Sequence, residues 1–187
     1  MKKRFWTGFF TGILTAIVLG IIGSVAFVKY AESTIADRLT APELPKELKE
    51  NFDFRYSTLT GETKYVSGLK GKVVFVNFWG TWCIPCVAEM PTIQKLYDSY
   101  RNDTDVAFVI ASRLDNAAQI KAFAAKHNYT LPFYIISDKD IPASMNFNQY
   151  PTTFIYAKDG SVAMKHVNAS DWADTSVISF INKLKAQ

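Results

Sequence analysis

From Lys72 to Phe78 the chain reads Lys-Val-Val-Phe-Val-Asn-Phe, apolar at nearly every position and rich in β-branched and aromatic side chains. A run of that kind is a strand buried on both faces, which needs cover above and below it. Trp79-Gly80-Thr81-Trp82 then turns the chain, and a helix is expected from about Cys83 to Tyr100, kinked at Pro91. A buried strand feeding directly into a helix begins a βαβ unit, so the chain is committed to an α/β fold with parallel central strands.

The remaining segments fit that frame. Phe52–Leu59 and Lys64–Val66 flank Thr60-Gly61-Glu62 as a strand pair with a tight turn, an N-terminal hairpin added to the sheet. Val106–Ala111 reads as a second buried strand, and Asp115 as the cap of a helix running to about Lys126. Phe133–Ile136 is a third short apolar segment, followed by a short helix or loop around Ile141–Asn146. Thr152–Tyr156 and Val162–Val167 flank a Lys158-Asp159-Gly160 hairpin turn. Ser170 or Asp171 begins a last helix through Lys185, with Trp172, Val177, Ile178, Phe180, Ile181 and Leu184 as its apolar side. The expectation over residues 52–187 is a mixed sheet with helices on both faces.

Ahead of this domain, Phe5 to Val28 are 24 consecutive uncharged residues. As a helix they span roughly 36 Å, enough to cross a hydrocarbon core of about 30 Å. Lys2, Lys3 and Arg4 precede the run, and only Lys29, soon answered by Glu32, follows it. The positive-inside rule then puts residues 1–4 in the cytoplasm, residues 5–28 across the membrane, and the rest of the chain outside. A cleaved signal peptide, with Ser24-Val25-Ala26 as its cleavage site, is the alternative; the length of the run favours an uncleaved anchor. Gly8, Gly12, Ala16, Gly20 and Ser24 form a small-residue stripe through which two anchors can pair. Residues 29–51 read as a stalk, with a short helix over Ala31–Leu39 broken by Pro42 and Pro45.

Charge narrows the function. The chain carries a net +4, and Lys2, Lys3, Arg4 and Lys29 supply all of it; residues 30–187 hold 17 basic and 17 acidic side chains. The domain therefore lacks the electrostatic footprint of a nucleic-acid-binding protein.

Cys83 and Cys86 are the two cysteines of the chain, spaced Cys-Ile-Pro-Cys at the strand-to-helix turn. At a helix start, positions i and i+3 share a face, within the reach of a disulfide. The first cysteine sits where unpaired N–H groups and the macrodipole favour a thiolate. Lowering its pKa from about 8.5 toward 7 raises the nucleophilic fraction at neutral pH from roughly 3% to about half. Pro85 fits in the first helical turn without losing a bond. The residue after Cys86 is Val87, where covalent haem attachment needs His. A zinc or copper carrier using the two thiolates, and a peroxidase of the peroxiredoxin kind, stay open as alternatives. The first lacks persuasive partners in His127 and His166, and the second lacks a peroxidatic Thr-x-x-Cys context.

Phe78-Trp79-Gly80-Thr81-Trp82-Cys83-Ile84-Pro85-Cys86, followed by Glu89-Met90-Pro91, resembles the active-site signature of thioredoxin-fold proteins, specifically the membrane-anchored TlpA/ResA-like branch. Tyr150-Pro151-Thr152-Thr153-Phe154 resembles that family's cis-proline segment, and Leu69-Lys70-Gly71-Lys72 is also similar. The likeness spans about residues 50–187. It implies a thioredoxin-like fold and thiol–disulfide exchange without a cofactor or metal, with Cys83 attacking and Cys86 resolving. It further implies that Pro151 is cis against the disulfide, and that Trp82, Ile84, Pro85, Tyr150, Pro151 and Thr152 meet the substrate. The implied substrates are protein disulfides outside the cytoplasmic membrane, often in cytochrome c maturation, with electrons drawn from a membrane partner. Three positions depart from the pattern. Asn77 stands where thioredoxin has a buried Asp, Ile84 where some relatives have Glu, and Thr152 where the cytochrome-maturation branch has Glu. Glu89, three residues after Cys86, is the nearest acidic candidate for taking the proton of Cys86.

Overall fold

In the computed structural model, which describes residues 2–44, 52–145 and 148–187, the chain runs α1 (Lys2–Ala36), β1 (Arg55–Thr58), β2 (Thr63–Tyr65), β3 (Val73–Trp79), α2 (Ile84–Tyr100), β4 (Val106–Arg113), α3 (Ala117–His127), β5 (Phe133–Ile136), β6 (Thr152–Tyr156), β7 (Val162–Val167) and α4 (Thr175–Lys185). Short 3-10 turns occupy Val66–Leu69, Asp138–Asp140 and Ala143–Met145. All seven residues of β3 are buried, as its composition requires.

The strands form one sheet in the order β2-β1-β5-β4-β3-β6-β7. β3, β4 and β5 run parallel, while β6 joins β3, β7 joins β6 and the β1–β2 hairpin joins β5 in antiparallel pairs. Gly61 and Gly160 take positive φ in the two hairpin turns, where a side chain would be strained.

Two successive right-handed crossovers, β3-α2-β4 and β4-α3-β5, step in the same direction along the sheet, so they leave both helices on one face. There α2, α3 and α4 bury Met90, Ile93, Leu96, Ile120, Val177 and Ile181 on Val73, Phe75 and Ile110. On the other face Val74, Val76, Phe78 and Val109 meet Phe52, Phe54, Val66 and Met145. Helical cover on both faces is thus uneven: among the described residues the second face has 3-10 turns and the chain before β1, and no α-helix.

Four local expectations are corrected. α1 continues unbroken to Ala36, so no separate stalk helix begins at Ala31, and the stalk's Pro45 and residues 46–51 lie outside the described residues. α2 is not interrupted at Pro91 but continues to Tyr100, since the lost N–H is one bond in a well-buried 17-residue helix. α3 is capped by Asn116 rather than Asp115, in a reciprocal capping box with Gln119. α4 begins at Thr175 with Asp174 as cap, which leaves Trp172 in the preceding loop. The expected helix or loop around Ile141–Asn146 is the turn Ala143–Met145; Asn146 itself lies outside the described residues.

Candidate active site

α2 starts one residue after Cys83, which is its N-cap; the Cys83 sulfur accepts the Cys86 N–H at 3.3 Å. That N–H is one of the donors that a helix start leaves without an intrahelical partner. Cys83 and Cys86 form a disulfide with their Cα atoms 5.3 Å apart. Cys83 keeps 5% of its surface in contact with solvent and Cys86 keeps none. Of the two, Cys83 is the one in contact with solvent. Once the pair is reduced, the helix N-terminus favours negative charge on that same sulfur. Ile84 and Pro85, the residues between, are half-buried.

On the outer side, the Trp82 indole folds back over Gly80, where an added Cβ would run into the indole ring. Trp82 is half exposed, donates to the Arg113 carbonyl at 3.4 Å, and meets the Tyr150 ring edge-on at 5.5 Å. Arg113 donates to the Tyr150 hydroxyl at 3.0 Å, lies over the ring at 5.9 Å, and is anchored by an ion pair with Asp138. The Tyr150–Pro151 bond is cis, and Thr152 pairs with Phe78, which sets residues 150–152 beside the end of β3. Trp82, Tyr150, Pro151 and Thr152, singled out in the sequence, are thus brought to one side of the disulfide. Arg113 was missed because β4 extends two residues beyond the expected end at Ala111.

Asp115 has a different role from the one its position suggested. Its carboxylate accepts the Thr81 N–H at 2.8 Å, the Thr81 hydroxyl at 2.7 Å and the Ser112 hydroxyl at 2.6 Å, with 6% of the residue exposed. It ties the loop that carries Cys83 to the end of β4. Leu114, between Arg113 and Asp115, takes a φ of 71° and is 72% exposed. A leucine in that region is strained and persists only where neighbours hold it.

On the inner side, Glu89 is fully buried one helical turn along α2 from Cys86. Its Oε1 accepts from the Asn77 amide at 2.8 Å, and its Oε2 from the Trp172 indole at 2.7 Å and the Ser170 N–H at 3.1 Å. The Asn77 amide also donates to the Thr153 hydroxyl at 2.9 Å. Burial pushes the Glu89 carboxyl up to about 8, and the three donors hold it from rising further. Ser170 in turn pairs with His166 at 2.7 Å, whose ring meets Trp172 edge-on and whose basicity is lowered by burial. Trp172 and Ser170 were missed as site residues, because the tryptophan fitted the apolar pattern of the last helix. Trp79 is a core residue packed on Phe123 and Phe133, and His127 stacks on Tyr129 at the end of α3.

Residues 48–165 match the AhpC/TSA family. The chain is 34% identical over 157 residues to the thioredoxin-like protein YneN of Bacillus subtilis, covering 83% of this chain and 87% of that one. It is 33% identical over 149 residues to the thiol-disulfide oxidoreductase ResA of Bacillus cereus, covering 80% and 83%. Among solved structures, a thiol:disulfide interchange protein of Chlorobium tepidum superimposes with a TM-score of 0.59 at 22% identity, covering 76% of this chain and 97% of that one. A thiol:disulfide interchange protein of Bacteroides sp. does so with a TM-score of 0.61 at 19% identity, covering 77% and 91%. These two likenesses support the thioredoxin-like fold.

Proposed function

From a chain that belongs to the AhpC/TSA family and is a thiol–disulfide oxidoreductase of ResA type, we propose a disulfide reductase held outside the cytoplasmic membrane by α1. The observation that carries this reading is the asymmetry of the two cysteines: Cys83 touches solvent and its sulfur accepts a helix N–H, while Cys86 has no solvent exposure and lies one helical turn from the buried Glu89.

The reduced Cys83 thiolate attacks a substrate disulfide, forming a mixed disulfide and releasing one substrate thiolate. Cys86 then loses its proton to Glu89 and attacks Cys83, which expels the second substrate thiolate and closes the Cys83–Cys86 bond. Substrate gains two electrons and the pair loses two. The Cys86 proton ends on Glu89, which in the oxidised protein holds it through neutral pH. Asn77 orients the Glu89 carboxyl rather than carrying a proton. Trp82, Ile84, Pro85 and Tyr150 flank the incoming chain, and the backbone from Pro151 to Thr152 offers it an edge.

Topology rests on Lys2, Lys3 and Arg4 ahead of the apolar run. Residues 5–28 then span the bilayer, within an α1 whose Gly12–Ala36 part is long and apolar enough to do so. The substrates are protein disulfides, those of cytochrome c apoproteins included, and the electrons come from a membrane partner. The test is Cys86→Ala, which stalls exchange at the mixed disulfide. Covalent adducts on Cys83 that dithiothreitol releases are the expected result. If no adduct forms and Cys83→Ala keeps reductase activity, the exchange mechanism is wrong.

A further inference from the structure

The end of α1 lies against the domain. Ala31, Glu32, Thr34 and Ile35 are half-buried while Tyr30, Ser33 and Ala36 stay exposed, the spacing of one helix face covered by a neighbour. That neighbour is α2, and Glu32 approaches the end of α3 closely enough for its charge to act on His127 and Tyr129. Farther along, the Asp171 N–H donates to the Thr40 carbonyl at 2.8 Å. Pro42 is buried, Leu44 packs on the core of the helix-covered face, and the charge of Glu43 acts on His166. Within the stretch read in the sequence as a stalk, residues 31–44 lie along the domain as a strap.

The strap has a direction. α3 starts beside the disulfide, where Asp115 grips Thr81, and ends at His127 at the opposite end of the sheet. Gln94 and Arg101, from the distal half of α2 and its end, meet Thr130 at that same far end. At the disulfide end, Val167 pairs with Thr152, next to Pro151, and Ser170 donates to Glu89. Between Glu32 and Glu43 the chain therefore climbs from the far end to the disulfide end, antiparallel to α2.

Resting on the reading of α1 as a membrane anchor, we infer that the strap fixes the domain with its His127 end toward the bilayer and Cys83 turned outward. The 17 residues of α2 measure about 25 Å, which sets the height of the cysteine pair above the membrane face of the domain. The partners this pose fits are extracytoplasmic proteins that present a disulfide or dithiol about a domain's height above the lipid.

The full chain in phosphatidylcholine–phosphatidylglycerol vesicles with a nitroxide on the lipid headgroup tests this. A bimane is placed on Cys83 in Cys86→Ala, or at position 126 of Lys126→Cys in a Cys83→Ala/Cys86→Ala background. Expected is quenching of most of the emission at position 126 and retention of most of it at Cys83. Equal quenching at both positions describes a domain tumbling on a tether and overturns the pose, as does stronger quenching at Cys83 or none at either site in protein that floats with the vesicles. Protein that fails to float overturns the anchor reading, and the pose with it. In Leu39→Ser/Pro42→Gly/Leu44→Ser the contrast between the two positions should vanish; its persistence would rule out the strap as its cause.

Discussion

On its outer side the Cys83–Cys86 bond is bordered by Trp82, half exposed, by the hydrogen-bonded pair of Arg113 and Tyr150, and by the Arg113-Leu114 corner. On its inner side, behind Cys86, Glu89, Asn77, Thr153 and Trp172 have no solvent exposure at all and are joined in one hydrogen-bonded set. The outer groups work in water, where charges are screened and each contact is worth little. The inner groups work in a medium of low polarity, where a carboxyl is held far from its ordinary acidity. In the proposed mechanism recognition falls to the outer side of the disulfide and proton handling to the inner side, so the two sides should fail in different ways.

The largest effect belongs to the bond itself. Cys83→Ser should reduce disulfide-reductase turnover to background in an insulin-reduction assay, while the fold survives as judged by circular dichroism. Retained turnover would remove the distinction between the sides.

The next effect belongs to the inner side and depends on pH. Glu89 has its folded-state value raised to about 8 from an ordinary 4.5, so the folded protein binds a proton more tightly than the unfolded chain. The stability this contributes is fully present below about 4.5, declines as pH rises, and is lost once pH passes about 8. The decline has a limiting slope of about 1.4 kcal/mol per pH unit. Urea unfolding of the oxidised protein between pH 5 and 9 should show wild type losing a few kcal/mol, roughly, relative to Glu89→Gln as pH rises. A difference that stays flat over that range would place the titration elsewhere.

Asp115 stands between the sides, and Asp115→Ala leaves the Thr81 N–H and hydroxyl without their acceptor. The expected cost is about 1–3 kcal/mol in urea unfolding, with slower attack by Cys83 because its loop is no longer held. A variant as stable and as fast as wild type would contradict the clamp.

The smallest effects lie outside. Trp82→Ala and Arg113→Gln should raise KM for a protein disulfide while leaving unfolding free energy within about 0.5 kcal/mol of wild type. Loss of stability in either would show that the outer side is structural rather than a recognition surface.

How much of this was legible in the sequence follows from distance along the chain. The β3-to-α2 turn, the cysteine pair and Glu89 occupy residues 73–89, so strand composition, helix spacing and the i+3 relation were enough to find them. The segment at Pro151 was found by family resemblance, and its register with Phe78 came from the structure. The remaining partners converge from far away. Trp172 and Ser170 reach Glu89 across more than 80 residues, and no periodicity announces that a buried indole serves a carboxyl. Asp115 was placed on the right corner but given a helix cap, because an aspartate before a helix satisfies the capping rule whatever its side chain holds. The strap was illegible for a related reason: residues 31–44 are polar enough to read as solvated, and their packing on α2, the burial of Pro42 and the Thr40–Asp171 bond come from the structure.

The rate of iodoacetamide modification of the reduced protein, followed separately at Cys83 and Cys86 from pH 5 to 10, addresses the two-sided arrangement most directly. Cys83 should react alone, with an apparent pKa below the roughly 8.5 of an ordinary thiol, and Cys86 should stay unmodified until the protein unfolds. Equal modification of both sulfurs, or a Cys83 that titrates at or above that ordinary value, would contradict the account.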